Sequence, residues 1–277
     1  MTEQCIKRDA DIEESMRYVD AHVHLSDAIY GNQVGSVIEA ARRSDVVALV
    51  SNSTDLRTSL DNVVLAKEYP KLVFAAVGIH PWSVQDLTQT ELEHTVNMIR
   101  SHSRDEGVVA IGEIGLDYKY IKGRKKELMS KQYEIFCRML QLSEEVSLPV
   151  IIHSRGATQE IMDILVSYNI EKTLFHWFSG PIGLLPQILE RGYYITEGPA
   201  ILFSDHTQKI VRQTPLSNLL TETDGPVRFF KPPFKGETTT PAIIPQIVDA
   251  IAKMKSEETA QVAEQIYRNF VTLFGKN

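Results

Sequence analysis

Short runs of apolar, mostly β-branched residues alternate along this chain with longer segments that are polar on one side. The runs fall at 17–25, 46–50, 72–79, 108–118, 149–152, 173–178, 193–198 and 216–225. Several are apolar on consecutive positions, as in Val46-Val47-Ala48-Leu49-Val50, which is how strands buried on both faces of a parallel sheet read. Between and after them, helical patterns are predicted over about 33–43, 55–68, 89–103, 126–147, 157–168, 241–254 and 257–270. The helices at 55–68 and 126–147 stop before Pro70 and Pro149, as the restricted residue ahead of proline requires. Strand and helix alternating at roughly 30-residue spacing predicts a closed parallel (β/α)8 TIM barrel. An open doubly wound sheet is the competing architecture. No linker, repeat or low-complexity tract divides the chain. Residues 1–277 are therefore read as one barrel domain, with 1–16 as a polar N-terminal extension.

Composition narrows the function classes. Hydrophobic residues make up 43% and charged residues 23%, which suits a packed globular core rather than disorder. The net charge of −7 argues against a protein that coats nucleic acid non-specifically, while leaving room for a local basic rim. Cys5 and Cys137 have no CxxC spacing and point to a reducing compartment. No signal-peptide pattern and no apolar stretch of membrane-spanning length occur, so a soluble, cytoplasmic protein is expected.

The strand ends carry the chemistry. Val108-Val109-Ala110-Ile111 runs into Gly112-Glu113-Ile114-Gly115, delivering a carboxylate to the carboxyl edge of a buried strand. An uncompensated anion there is costly, and a metal is the simplest compensation. On the first strand His22 and His24 share one face, since alternate side chains point the same way. The fifth, sixth and eighth runs bring His153, His176 and Asp224. In a barrel these carboxyl ends surround one point; in an open sheet they would be strung out. His22, His24, Glu113, His153, His176 and Asp224 are too many ligands for one tetrahedral zinc and fit two divalent ions sharing a carboxylate. Imidazole and carboxylate donors suit Zn, Mn or Mg, or ferrous iron. His80, ending the third run beside Pro81, can bind substrate, orient a ligand or hold its loop. Basic residues crowd 119–126 and 228–235, giving an acidic protein a positive mouth, and Phe229, Phe230 and Phe234 are candidates for stacking on bases.

These motifs resemble those of the TatD family of metal-dependent hydrolases, within the amidohydrolase superfamily. The matching segments are Asp20-Ala21-His22-Val23-His24, Gly78-Ile79-His80-Pro81, Gly112 to Tyr118, Pro149 to Arg155, His176 to Gly180, Glu222-Thr223-Asp224 and Asn269 to Phe274. The resemblance implies that His22, His24 and Asp224 hold one metal, His153 and His176 the other, and Glu113 bridges them. It implies hydrolysis, with deoxyribonuclease activity of 3′→5′ exonuclease type as the family's best-known assignment, so DNA ends are the expected substrate. Asp224 is then the candidate general base, with Glu113 as the other catalytic carboxylate, and His80 and Arg155 are candidates to hold a phosphate oxygen. Trp177, and the segment Gly225 to Lys231, depart from the family pattern and reshape the pocket wall. A small-molecule hydrolase for a lactone, amide or phosphoester is the alternative on the same metals. A metal-stabilised binding scaffold without turnover is the second.

Overall fold

A computed structural model describes residues 16–121, 123 and 125–275; the predicted N-terminal extension otherwise lies outside the described residues, as do Lys122 and Arg124. Eight parallel strands run in sequence order: β1 (Tyr18–Val23), β2 (Val46–Asn52), β3 (Val73–Val77), β4 (Val108–Asp117), β5 (Val150–Arg155), β6 (Thr173–Phe175), β7 (Tyr194–Glu197) and β8 (Leu219–Thr221). Helices follow them as α1 (Val34–Arg43), α2 (Leu56–Glu68), α3 (Gln89–His102), α4 (Lys125–Val146), α5 (Thr158–Leu165), α6 (Leu185–Glu190), α7 (Asp205–Gln213), α8 (Ile244–Lys255) and α9 (Thr259–Phe274). This is the (β/α)8 barrel, with its core between sheet and helices and inside the sheet itself.

Local chemistry sets several boundaries. Asp55 begins α2 by accepting from the Thr58 backbone N–H at 2.8 Å, and Thr88 and Glu91 form a reciprocal capping box at α3. All ten residues of β4 are buried, as its apolar run predicts. Asn269 on α9 donates to the carbonyls of Leu216 and Leu219 at 2.6 and 2.8 Å, while Phe270 packs against Phe74. The C-terminal motif thus anchors the start of β8 rather than the site.

The seam between β8 and β1 is closed largely by side chains. The Thr221 hydroxyl donates to the Val19 carbonyl at 2.6 Å. Buried Asp20 accepts from the Thr223 hydroxyl at 2.6 Å and from the Thr223 and His22 backbone N–H groups, each at 3.1 Å. Asp224 N–H donates to the His22 carbonyl at 2.9 Å, and His24 N–H to the Gly225 carbonyl at 2.8 Å. Apart from the local His22–Asp20 contact, these bonds hold residues some two hundred positions apart in register.

Three element expectations are corrected. The strand predicted over 216–225 is only Leu219–Thr221, because residues 216–218 form a 3-10 turn and Asp224 takes a left-handed φ of 48°. The strand predicted over 173–178 ends at Phe175, and Trp177 turns out of the ladder with φ 36°. Helices α6 and α7 were not predicted: one is six residues long with a proline in its first turn, and the other is mostly polar. Among the described residues no helix is long and apolar enough to cross a membrane.

Candidate metal centre

The carboxyl ends of β1, β4 and β5 and the turns after β6 and β8 bring all six candidate ligands together. Glu113, buried to 1% exposure, is the hub. Its two oxygens face different partners. Oε2 lies 3.3 Å from His22 Nε2 and 3.4 Å from His24 Nε2, and Asp224 Oδ1 lies 3.5 and 3.3 Å from the same two nitrogens. Oε1 lies 2.7 Å from both His153 Nδ1 and His176 Nε2.

The first group fits a divalent ion. With His22 Nε2 and His24 Nε2 3.2 Å apart, five donor–donor separations fall between 3.2 and 3.5 Å. The edge of a tetrahedron around zinc, with N and O ligands at about 2.0–2.2 Å, is about 3.3–3.6 Å. The second group offers three donors, two imidazoles and an oxygen, with the nitrogens 3.3 Å apart. Donor atoms also cluster within 4.8 Å in two other combinations, His22 with His176 and Asp224, and His80 with Glu113 and His153.

Neighbours select which nitrogen His24, His153 and His80 present, while Nδ1 of His22 and of His176 is buried with no hydrogen-bond partner among the described residues. His24 Nδ1–H donates to the Asn52 carbonyl at 3.0 Å, leaving Nε2 to face the cluster. His153 is turned the other way: its Nε2–H donates to Asp117 Oδ2 at 3.0 Å, so Nδ1 faces Glu113. His176 Nδ1 lies 3.5 Å from Glu222 Oε2, an ion-pair rather than a hydrogen-bond separation. His80 differs from all of these. Its Nδ1 accepts the Trp82 backbone N–H at 3.0 Å, so the neutral ring carries its proton on Nε2, 3.3 Å from Glu113 Oε1. It therefore presents a donor to the site, and a metal would have to displace that proton.

The acidic and imidazole groups of the centre shift one another strongly. Burial alone would raise Glu113, but His176, His80 and His22 around it hold the carboxyl well below its ordinary range. Burial likewise disfavours a charged His24, yet Asp224 and Glu113 outweigh it and lift its pKa to about 10. His176 is raised well above normal, with Glu113 overcoming the cost of burial. His22, buried beside His176 with the rings stacked at 3.8 Å, is lowered. Burial pushes His80 down to about 4, consistent with a neutral donor. These shifts favour positive charge around Glu113 and Asp224, and a divalent cation bound there would compete with protons for the same imidazole nitrogens.

Asp117 and Glu222 occur in the sequence motifs, but reasoning from sequence assigned them no part. The signal for Asp117 was there: it lies four positions beyond Glu113, on the same face of β4. Asp117 Oδ2 also accepts the Trp82 indole N–H at 2.8 Å, and its Oδ1 accepts from the Lys119 and Tyr120 N–H groups at 3.0 and 3.1 Å. Asp117→Asn keeps the size but offers a weaker acceptor to His153. We expect metal affinity or turnover to fall about 10–100-fold, measured by titrating metal into the stripped variant; an unchanged titration would remove Asp117 from the centre.

The mouth corrects one expectation and refines another. Phe229 and Phe234 are 7% and 5% exposed, packed with Ala200 against Trp177 and Phe203, so neither ring is free to stack on a base. Phe230 alone of the three is open, at 90%. Arg155 lies at the end of β5 with its guanidinium 5.1 Å from the Tyr120 ring and 6.0 Å from Trp177; no carboxylate pairs with it among the described residues.

Comparison with known proteins agrees in both sequence and structure. The family model described as TatD related DNase matches residues 19–275. The Uncharacterized metal-dependent hydrolase MJ1582 of Methanocaldococcus jannaschii is 32% identical over 259 residues, covering 94% of this chain and 97% of that protein. Deoxyribonuclease TATDN3 of Homo sapiens is 30% identical over 266 residues, 93% of this chain and 94% of its own. The crystal structure of YJJV, a TatD homologue from Escherichia coli, superposes with a TM-score of 0.85 at 25% identity, covering 94% of this chain and 98% of that one.

Proposed function

Because this chain belongs to the TatD family of metal-dependent hydrolases, we propose that it is a deoxyribonuclease that hydrolyses phosphodiesters at DNA ends, with 3′→5′ exonuclease character. The observation that carries this reading is the divided carboxylate of Glu113, with His22 and His24 on one oxygen and His153 and His176 on the other. In it, His22, His24 and Asp224 hold one divalent ion, His153 and His176 a second, and Glu113 is shared. Zn, Mn and Mg all suit these donors. Two such ions supply polarisation of a phosphoryl oxygen and a lowered pKa for the attacking water.

The remaining work falls to side chains. Asp224 is the more open of the two carboxylates, its side chain 13% exposed against 2% for Glu113, and it is held charged, so it can accept the proton of an attacking water. His80 donates its Nε2 proton toward the same space, where it can hold a phosphate oxygen. Arg155, which pairs with no carboxylate among the described residues, supplies a forked donor for a second oxygen. Exposed Lys119, Arg228, Lys231 and Lys235 offer an approaching strand positive charge that the acidic whole does not. The name borne by the human relative points to the same substrate. Trp177, packed with Phe203 and Phe229 and 6.0 Å from the Arg155 guanidinium, is the feature that favours the second reading, a hydrolase for a smaller ester or amide.

The test pairs elemental analysis with cleavage of end-labelled oligonucleotides in Mg²⁺, Mn²⁺ or Zn²⁺. About two metals per chain with stepwise shortening is the expected result. Bound metal with every oligonucleotide left whole would overturn the nuclease reading and move the search to small esters and amides.

A further inference from the structure

Two large aromatic side chains stand open at the rim of this site, although rings of that size are usually covered. Trp82 is 57% exposed and Tyr120 54%, with ring centroids 6.0 Å apart and nearly perpendicular. The Trp82 ring is 5.0 Å from His80 and 6.2 Å from His153, so the pair borders the metal centre directly. The guanidinium of Arg155 lies 5.1 Å from the other ring, placing a cation and two aromatic surfaces in one wall. Beneath the pair is a cavity of about 310 Å³, lined by Trp82, Tyr120, Pro81, Val84, Ile121 and Leu128. Neither ring is among those expected to meet bases; those sit on the 228–235 loop, where two of the three are buried.

Three polar side chains line this cavity: Gln85, exposed to solvent, and Gln132 and Asp117, which are buried and already engaged. Gln132 accepts from the Asp117 N–H at 3.0 Å and donates to the Pro81 carbonyl at 3.2 Å. Asp117 accepts bonds on both oxygens, from Trp82 and His153 on one and from Lys119 and Tyr120 on the other. A ligand entering here meets flat apolar surface and no buried donor or acceptor looking for a partner.

We infer that Trp82 and Tyr120 form a stacking pocket for one unpaired nucleobase of the DNA end, the base attached to the nucleotide whose phosphate lies at Arg155 and the metal centre. This rests on the phosphodiesterase reading and adds the form of its substrate. A base can enter only after leaving its duplex partner, so frayed or single-stranded ends are preferred over blunt ones. Stacking without hydrogen-bond readout accepts all four bases alike.

Tyr120 gives the cleaner test, because Trp82 also donates to Asp117 and its loss would disturb His153. Tyr120→Ala, Tyr120→Phe and the wild type are assayed on strands ending in a normal or an abasic nucleotide. Tyr120→Ala is expected to lower kcat/KM about tenfold on the normal strand, chiefly through KM, with Tyr120→Phe near wild type. An abasic end is expected to slow the wild type by about the same factor, with no further loss in Tyr120→Ala. Losses that multiply, or a wild type indifferent to the missing base, would overturn the pocket. Should the wild type cleave no strand, the phosphodiesterase reading falls and the pocket is judged by binding. The chain has two tryptophans, Trp82 and Trp177, so Trp177→Phe leaves Trp82 as the sole indole reporter. Quenching of its fluorescence by the normal strand but not the abasic one keeps the pocket; equal or absent quenching discards it.

Discussion

Glu113→Ala is expected to reduce metal-dependent hydrolysis by on the order of 10³-fold or more, and to lower bound metal to at most about one ion per chain. The reason is geometric. Oε2 completes the donor group of His22, His24 and Asp224, while Oε1 sits 2.7 Å from the donor nitrogens of both His153 and His176. Alanine removes one oxygen from each group and the negative charge that offsets His24 and His176. Glu113→Gln separates charge from shape: its amide can present an oxygen to only one group and sets an N–H₂ against the other. Its activity should lie close to that of alanine, with the remaining metal more tightly held. Glu113 is not itself one of the apolar core residues, so the barrel should still form and circular dichroism of either variant should match the wild type. Full activity and full metal content in Glu113→Ala would rule out a centre built on this carboxylate.

Gly115→Ala should be the most damaging single-methyl change in the chain, costing about 3–5 kcal/mol of stability. Gly115 pairs with His153 across β4 and β5 and has a φ of 143°, a region that L side chains avoid. A Cβ built there overlaps the His153 carbonyl oxygen, which belongs to the backbone and cannot swing aside. The two strands must separate, and His153 goes with β5. Chemical denaturation reads the stability loss, and elemental analysis should show weakened metal retention in whatever folds. Gly236 serves as the control: its φ of 79° is also left-handed, but nothing lies within 4 Å of an added Cβ. Gly236→Ala should cost only about 1–2 kcal/mol. Equal losses in the two variants would mean that backbone strain, rather than the closeness of β4 and β5, explains Gly115.

Much of the site could be read from strand ends alone. His22 and His24 were visible by parity on a strand, and Glu113 and His153 by the apolar runs that deliver them. His176 and Asp224 reach the same edge, but from the turns after β6 and β8 and not as the strand residues that the pattern predicts. Both lie in or next to left-handed turns, which no run of β-formers announces. Asp117 went unread because a carboxylate two residues past a glycine looks like a turn former, and its partner His153 lies thirty-six positions away. The phenylalanines of 228–235 failed for a related reason. Composition says that rings are present; whether they face solvent depends on Ala200, Trp177 and Phe203, which arrive from other loops.

What the sequence by itself determined is the alternation of strand and helix, and the imidazole and carboxylate groups at or just beyond the carboxyl ends of the first, fourth, fifth, sixth and eighth strands. Both follow from periodicity and side-chain chemistry within a few residues. Tertiary structure alone decided which Glu113 oxygen serves which imidazoles, which nitrogen each histidine presents, and which aromatic rings stay open. Those outcomes depend on register between strands and on closure of β8 against β1, where Asp20 and Thr223 meet across 203 positions of chain. Local pattern carries no record of such partners, because the energies that orient them arise only when the barrel closes.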